Sequence, residues 1–194
     1  MRKPLLIDQV AVRDLGRCGL IPLLSKSGLE CCLSQMSFES PDKFENLKKD
    51  FETGGNVLRE VSLNEISHNQ LRFIYKELNS EGLISFYDAV TLALAVTNDY
   101  AILAADPVIV EIAEKLGIEH WSYYTLLSKM VQEKAFSLGE AIEYAYQLHY
   151  FINPMSTFSD SFTPEHEITA VIKSMFGIRP VEDDPDYMGS HEAV

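Results

Sequence analysis

The sequence predicts an α/β protein in which a parallel sheet is covered on both faces by helices. Three observations carry this. From Pro4 to Trp121, short apolar runs alternate with segments of helical periodicity, the pattern of successive βα units. Two of the runs, Pro4-Leu5-Leu6-Ile7-Asp8 and Tyr100-Ala101-Ile102-Leu103-Ala104-Ala105-Asp106, end in an aspartate that opens a helical pattern. The segment Ala89 to Val96 is apolar nearly all round, so its helix belongs in a buried layer.

Residues 4–8 read as a first, buried strand. Residues 9–27 read as two short helices broken at Gly16–Gly19, the second running from Leu20 to Ser27. Residues 29–35 form a second strand. Pro41 suits the first turn of a helix capped by Ser40 and running to about Glu52, with Gly54-Gly55 as its end. Val57 to Leu63 is a third strand. Asn64 is the expected cap of a helix reaching about Leu78, with Leu71, Ile74, Tyr75 and Leu78 on one face. Ser85-Phe86-Tyr87-Asp88 has the form of a capping box, and its helix runs towards Asn98. Residues 100–105 are the fourth strand. Asp106-Pro107 starts a helix with proline at its first position, Gly117 ends it, and Ile118 to Trp121 is the fifth strand. Beyond this the pattern is helical: Tyr123 to Glu133, Leu138 to Tyr150 and Glu165 to Phe176, separated by a Ser/Thr-rich loop from Ile152 to Phe162. Residues 180–194 are acidic, with few apolar residues, and read as a frayed tail.

Composition narrows the classes of function. A length of 194 residues and 46% hydrophobic content fit a globular protein with a substantial core. No apolar run approaches the roughly 18–20 residues of a membrane span. The apolar stretch before Asp8 is too short for a signal peptide, so a cytoplasmic location is expected. Cys18, Cys31 and Cys32 do not form a disulfide framework. Cys31 and Cys32, adjacent on a strand, should point to opposite faces as small reduced hydrophobes. The net charge of −13 argues against a broad nucleic-acid-coating surface. Glu182, Asp183, Asp184, Asp186 and Glu192 concentrate part of that charge in the tail. The five histidines show no zinc-ligand spacing, and there is no Gly-rich phosphate loop.

Four acids remain as candidates for chemistry: Asp8, Glu39, Asp88 and Asp106. In an open α/β sheet the carboxyl ends of the strands face one crevice, where ligands bind. Acids distant in sequence would meet there, and clustered carboxylates need a cation or shared protons to coexist. Mg²⁺ or Mn²⁺ suits hard carboxylate oxygens. Each acid also has a plain reading. Asp8 and Asp106 are good N-caps, and Asp88 is the third residue of a capping box. Arg13, close in sequence to Asp8, is the preferred contact for a phosphate-bearing ligand or a partner, with Arg17 four residues on. Arg72 and Lys76 form a similar pair. Ser85 could orient Asp88 or a bound water.

The block from Ile84 to Ala95, then Ala101-Ile102-Leu103-Ala104-Ala105-Asp106, then Val110 to Ile118, resembles the second half of a PIN domain. Leu6-Ile7-Asp8 resembles that family's opening strand and first acid. The similarity covers roughly residues 4–135. It implies a three-layer α/β/α fold with a PIN-like domain over residues 1–135 and a helical extension over 136–179 packed on it. Residues 180–194 would then be an acidic tail. It also implies a divalent-metal-dependent endoribonuclease. Asp8, Asp88 and Asp106 would be its metal-holding acids and Glu39 its fourth catalytic acid, with Asp42 as the alternative. Many relatives are toxins of the VapC type, so an antitoxin protein is an implied partner beside the RNA substrate. The C-terminal helices would complete the core or form a homodimer surface. Ala104-Ala105 stand where the family often has Ser, Thr or another acid. The rival reading is therefore a non-catalytic PIN-like module that binds a protein or RNA partner.

Overall fold

The computed structural model describes residues 3–39, 58–78 and 82–152. The expected helix at 41–52, the fallback acid Asp42, the expected helix at 165–176 and the acidic tail lie outside the described residues. Five parallel strands form one sheet in the order β3-β2-β1-β4-β5: β1 Leu5–Ile7, β2 Cys31–Ser34, β3 Leu58–Val61, β4 Ala101–Leu103 and β5 His120–Trp121. The central strand β1 pairs Leu5 with Cys31 on one side, and Leu5, Leu6 and Ile7 with Ala101, Ile102 and Leu103 on the other.

The period-2 alternation of side chains along each strand splits the core into two layers. Leu5, Ile7, Cys31, Leu33, Ala101 and Leu103 join one cluster, while Leu6, Cys32, Ile102 and Ala104 join the other. Cys31 and Cys32 thus face opposite sides, as expected, and all three cysteines are buried free thiols. Burial pushes the Cys31 thiol up to about 12 and those of Cys18 and Cys32 up to about 11.

Helices α1 (Gln9–Arg17) and α2 (Ile21–Leu24) follow β1 on the first face, and α3 (Gln35–Glu39) follows β2. The second face carries α4 (His68–Phe73), which continues into a π-helical turn at Ile74–Leu78. It also carries α5 (Phe86–Asn98) and α6 (Pro107–Lys115). The chain then returns to the first face with α7 (Tyr123–Gln132) and α8 (Leu138–Ile152). The result is helices on both faces of a parallel sheet, an α/β/α sandwich. Strands β2 and β3 extend to one side of β1, and β4 and β5 to the other. The change of helical face accompanies that change of direction, as the right-handed crossover rule demands.

Three local features differ from expectation. Asn64 does not cap the helix after β3. Ser62 caps a tight turn at Leu63–Glu65 through a capping box with Glu65, and α4 starts three residues later than expected, with Ser67 accepting from the Gln70 N–H. The Ser-x-x-Glu signature at Ser62 satisfies donors over one turn only, and Ile66 then adopts extended backbone. The helix α3, unforeseen in the sequence, begins directly after β2, where the Ser34 hydroxyl lies 2.9 Å from that of Ser37. The second short helix is also briefer than expected, with a 3₁₀ turn at Ser25–Ser27 completing it.

The last described helix, α8, places Ala141, Ala145 and Leu148 in the same buried cluster as Val12, Leu24, Leu127 and Met130. No described helix is long and apolar enough to cross a membrane. Leu148 is 1% exposed, so Leu148→Ala should cost roughly 2–5 kcal/mol. It should lower one cooperative urea transition rather than split off a second. Separate transitions would show that α8 unfolds independently.

Candidate functional site at the carboxyl edge of the sheet

The strand order reverses between β1 and β4, so the crevice of this sheet lies beyond the carboxyl ends of those two strands. Asp8 immediately follows β1, and Asp106 lies three residues past β4. The Asp8 N–H donates to the Leu103 carbonyl at 2.9 Å, extending the β1–β4 seam by one residue. Asp8 then turns into α1 as its N-cap. Its Oδ2 accepts from the Val10 N–H at 3.0 Å, which satisfies one orphan donor of the helix start.

The other oxygen, Oδ1, is buried without a hydrogen-bond partner. Asp8 is 1% exposed. Burial raises its pKa from 3.8 to about 6, and the negative charge of Asp88 adds to the rise. The N–H groups of Val10, Gln9 and Ala11 pull the other way. The sequence-expected pair Asp8 and Asp88 is therefore brought within electrostatic reach.

Asp88 occupies the third position of α5. Its Oδ2 accepts from the Ser85 N–H at 2.7 Å, and the Ser85 hydroxyl accepts from the Asp88 N–H at 3.2 Å. This reciprocal box fixes the carboxylate and occupies one of its oxygens. Asp106 is exposed and caps α6, accepting from the Val108 N–H through Oδ1 at 2.8 Å. Glu39 is the last residue of α3, and its side chain lies outside the described residues. Among the described residues, no three His, Cys, Asp or Glu side chains form a group able to hold a metal ion. The structure thus couples Asp8 to Asp88 and sets Asp106 at the same edge, one strand over.

One acid escaped the sequence reading. Asp14 lies on the buried side of α1 beside Ala11 and Leu15, at 3% exposure. Its Oδ2 accepts from the Tyr123 hydroxyl at 3.0 Å. Its Oδ1 lies 3.5 Å from Arg13 Nε and 3.8 Å from an Arg17 guanidinium nitrogen. Arg13, expected to meet RNA or a partner, thus helps to neutralise a buried carboxylate, while its side chain keeps 38% exposure. The pKa of Tyr123 rises well above the ordinary phenol range through burial and then through Asp14. The negative charge of Asp8 contributes as well, so Tyr123 remains a proton donor in the same electrostatic neighbourhood as Asp8. The available signal was the interruption of an apolar helical stripe by a carboxylate, which demands a buried partner.

A cleft of about 390 Å³ opens beside Asp106, lined among others by Ala104, Ala105, Pro107, Val110, His120 and Tyr124. His120 lies against the Ala104 carbonyl, with Nε2 at 3.0 Å. The fold and this edge define a class: an open, five-stranded parallel α/β/α protein with carboxylates at its switch point. Comparison of the chain with protein-family models, curated proteins and solved structures finds no match.

The raised pKa of Asp8 has a signed consequence. The folded protein binds this proton more tightly than the unfolded chain, so the stability contribution is full below about pH 4. It is lost as pH rises through about 6. Relative to Asp8→Asn, the wild type should lose on the order of 3 kcal/mol between pH 4 and 7.5 in metal-free buffer. Urea unfolding across that range checks this, and a pH-independent difference would contradict the assigned environment. Tyr123→Phe, which removes a donor from buried Asp14, should cost about 1–3 kcal/mol, read in the same unfolding assay.

Proposed function

We propose that this protein is a PIN-like, divalent-metal-dependent endoribonuclease that hydrolyses RNA phosphodiester bonds at the carboxyl edge of its sheet. The observation that carries the reading is the Asp8 carboxylate, buried at the switch point with Oδ1 unpartnered. Such an oxygen is costly unless it meets a proton or a cation. The hardness of the donors fits Mg²⁺ or Mn²⁺. Mg²⁺ keeps several waters and takes only one or two carboxylates, so Asp8 and Asp88 suffice as direct ligands, with Asp106 acting directly or through water. An ion bound there supplies a water of lowered pKa and positive charge for the phosphoryl oxygens.

The side chains then divide the work. Asp8 and Asp88 hold the ion, their orientations set by the α1 cap and by the Ser85 box. Ser85 is a positioning residue for Asp88. Arg13, tethered to Asp14 yet partly exposed, meets an RNA phosphate. Glu39 supplies a fourth acid from the end of α3. By the same reading the protein is cytoplasmic and acts as the toxin of a toxin–antitoxin pair, with an antitoxin protein as its inhibitor. The non-catalytic PIN-like module is the rival reading. It is favoured by the lack of a three-donor set among the described residues and by the cleft lined by Ala104 and Ala105.

Calorimetric titration with Mn²⁺ at neutral pH separates the two. The expected result is one saturable site that Asp88→Asn removes. Asp88→Asn should also abolish cleavage of a labelled RNA by nuclease-free preparations. Full activity in that variant would end the proposal, and a folded wild type that binds no Mn²⁺ would leave the non-catalytic module.

A further inference from the structure

The start of α5 does more than present Asp88. Phe86 and Tyr87 fill its first two positions, and both side chains are exposed, at 43% and 37%. Large apolar rings exposed within one helical turn of the half-buried Asp88 carboxylate are not explained by the core. Tyr75, on the π-helical turn that follows α4, meets Phe86 edge to face, with ring centroids 5.5 Å apart. Tyr75 itself is 41% exposed, and Phe73, two residues before it, is 44% exposed. The pair is ordered by mutual contact yet open to solvent.

Cations stand among these rings. Arg72 and Lys76 are exposed on the same segment, so the stretch Arg72-Phe73-Ile74-Tyr75-Lys76 buries only Ile74. Among the described residues neither cation is ion-paired, unlike Arg13 and Arg17, which are committed to Asp14. On a chain of net charge −13, exposed cations interleaved with exposed aromatic rings mark a surface for an anionic, ring-bearing ligand. A π-helical turn at this place fits its frequent association with functional sites.

We infer that Arg72, Tyr75, Lys76, Phe86 and Tyr87 form a binding platform for single-stranded RNA. Bases stack on the rings, and Arg72 and Lys76 meet phosphates. A duplex keeps its base faces stacked internally and offers them to no ring, so the platform selects unpaired segments. The choice of RNA as occupant rests on the nuclease reading, and the platform's continuity with Asp88 through one turn of α5 leads the strand to the acids.

The test is fluorescence anisotropy of a labelled, unstructured 12-nucleotide RNA with the full chain in EDTA, where cleavage cannot occur. Wild type should bind, and a duplex of the same length should bind more weakly. Tyr75→Ala/Phe86→Ala should lose roughly tenfold or more in affinity, whereas Phe86→Trp should retain it. Arg72→Gln/Lys76→Gln should lower the slope of log K against log salt by about 1.4, the value for two phosphate contacts on a single strand. Asp88→Asn, which removes a negative charge from the path of the strand, should bind no more weakly than wild type, which separates failure of the platform from failure of the catalytic proposal. Unchanged affinity and salt slope in folded variants, checked by circular dichroism, would overturn the inference. So would a wild type that ignores single strands, or a patch whose substitution alters only dimerisation.

Discussion

The carboxyl edge depends on one residue that must do two backbone jobs and hold one unsatisfied charge. Asp8 closes the β1–β4 seam with its N–H and starts α1 with its carboxylate. It has almost no contact with water. A cap alone requires only one oxygen and is commonly solvated. Here the second oxygen is enclosed as well, so the site is strained electrostatically unless something positive or a proton enters. The buried charge therefore weighs on stability at this position unless a proton or cation offsets it.

The same economy recurs around the edge. Asp88 and Asp106 also spend one oxygen on a helix start. Structural and chemical readings of these acids are thus not exclusive. Capping bonds restrict the torsions of a short side chain, so each cap also aims its remaining oxygen. A ligand meeting pre-aimed carboxylates loses less entropy on binding than one that must order them first.

Much of this was legible in the sequence because local chemistry decided it. Asp-Pro at 106–107, the Ser85–Asp88 box and the apolar run at 89–95 each specify their own element, and the fold followed from their alternation. Cys31 and Cys32 separate across the sheet because neighbouring strand residues must. What sequence could not show was decided by partners far along the chain. The bond from Tyr123 to Asp14 spans 109 residues, and neither residue has a local signature. Ser62, Asn64 and Ser67 are all chemically capable caps. The choice of Ser67 followed from the extended backbone at Ile66, which packs against the second core cluster. That Asp8, Asp88 and Asp106 lie at helix starts was readable, whereas the degree to which Asp8 feels Asp88 was not. Which charges feel one another depends on burial, and burial is a property of the whole sheet.

The three-residue strand β1 sits at the centre of the sheet, between a strand made soon after it and a strand made in the second half of the chain. During synthesis its β2 side can be satisfied early, but its β4 side stays open until Ala101–Leu103 has emerged. Until then Leu5 to Ile7 present an apolar ladder with free N–H and carbonyl groups, the condition under which strands join foreign partners. The closing step is also the one that creates the crevice. A chain interrupted before β4 would be both without its site and adhesive, and assembly of the acids and removal of the exposed edge are one and the same event.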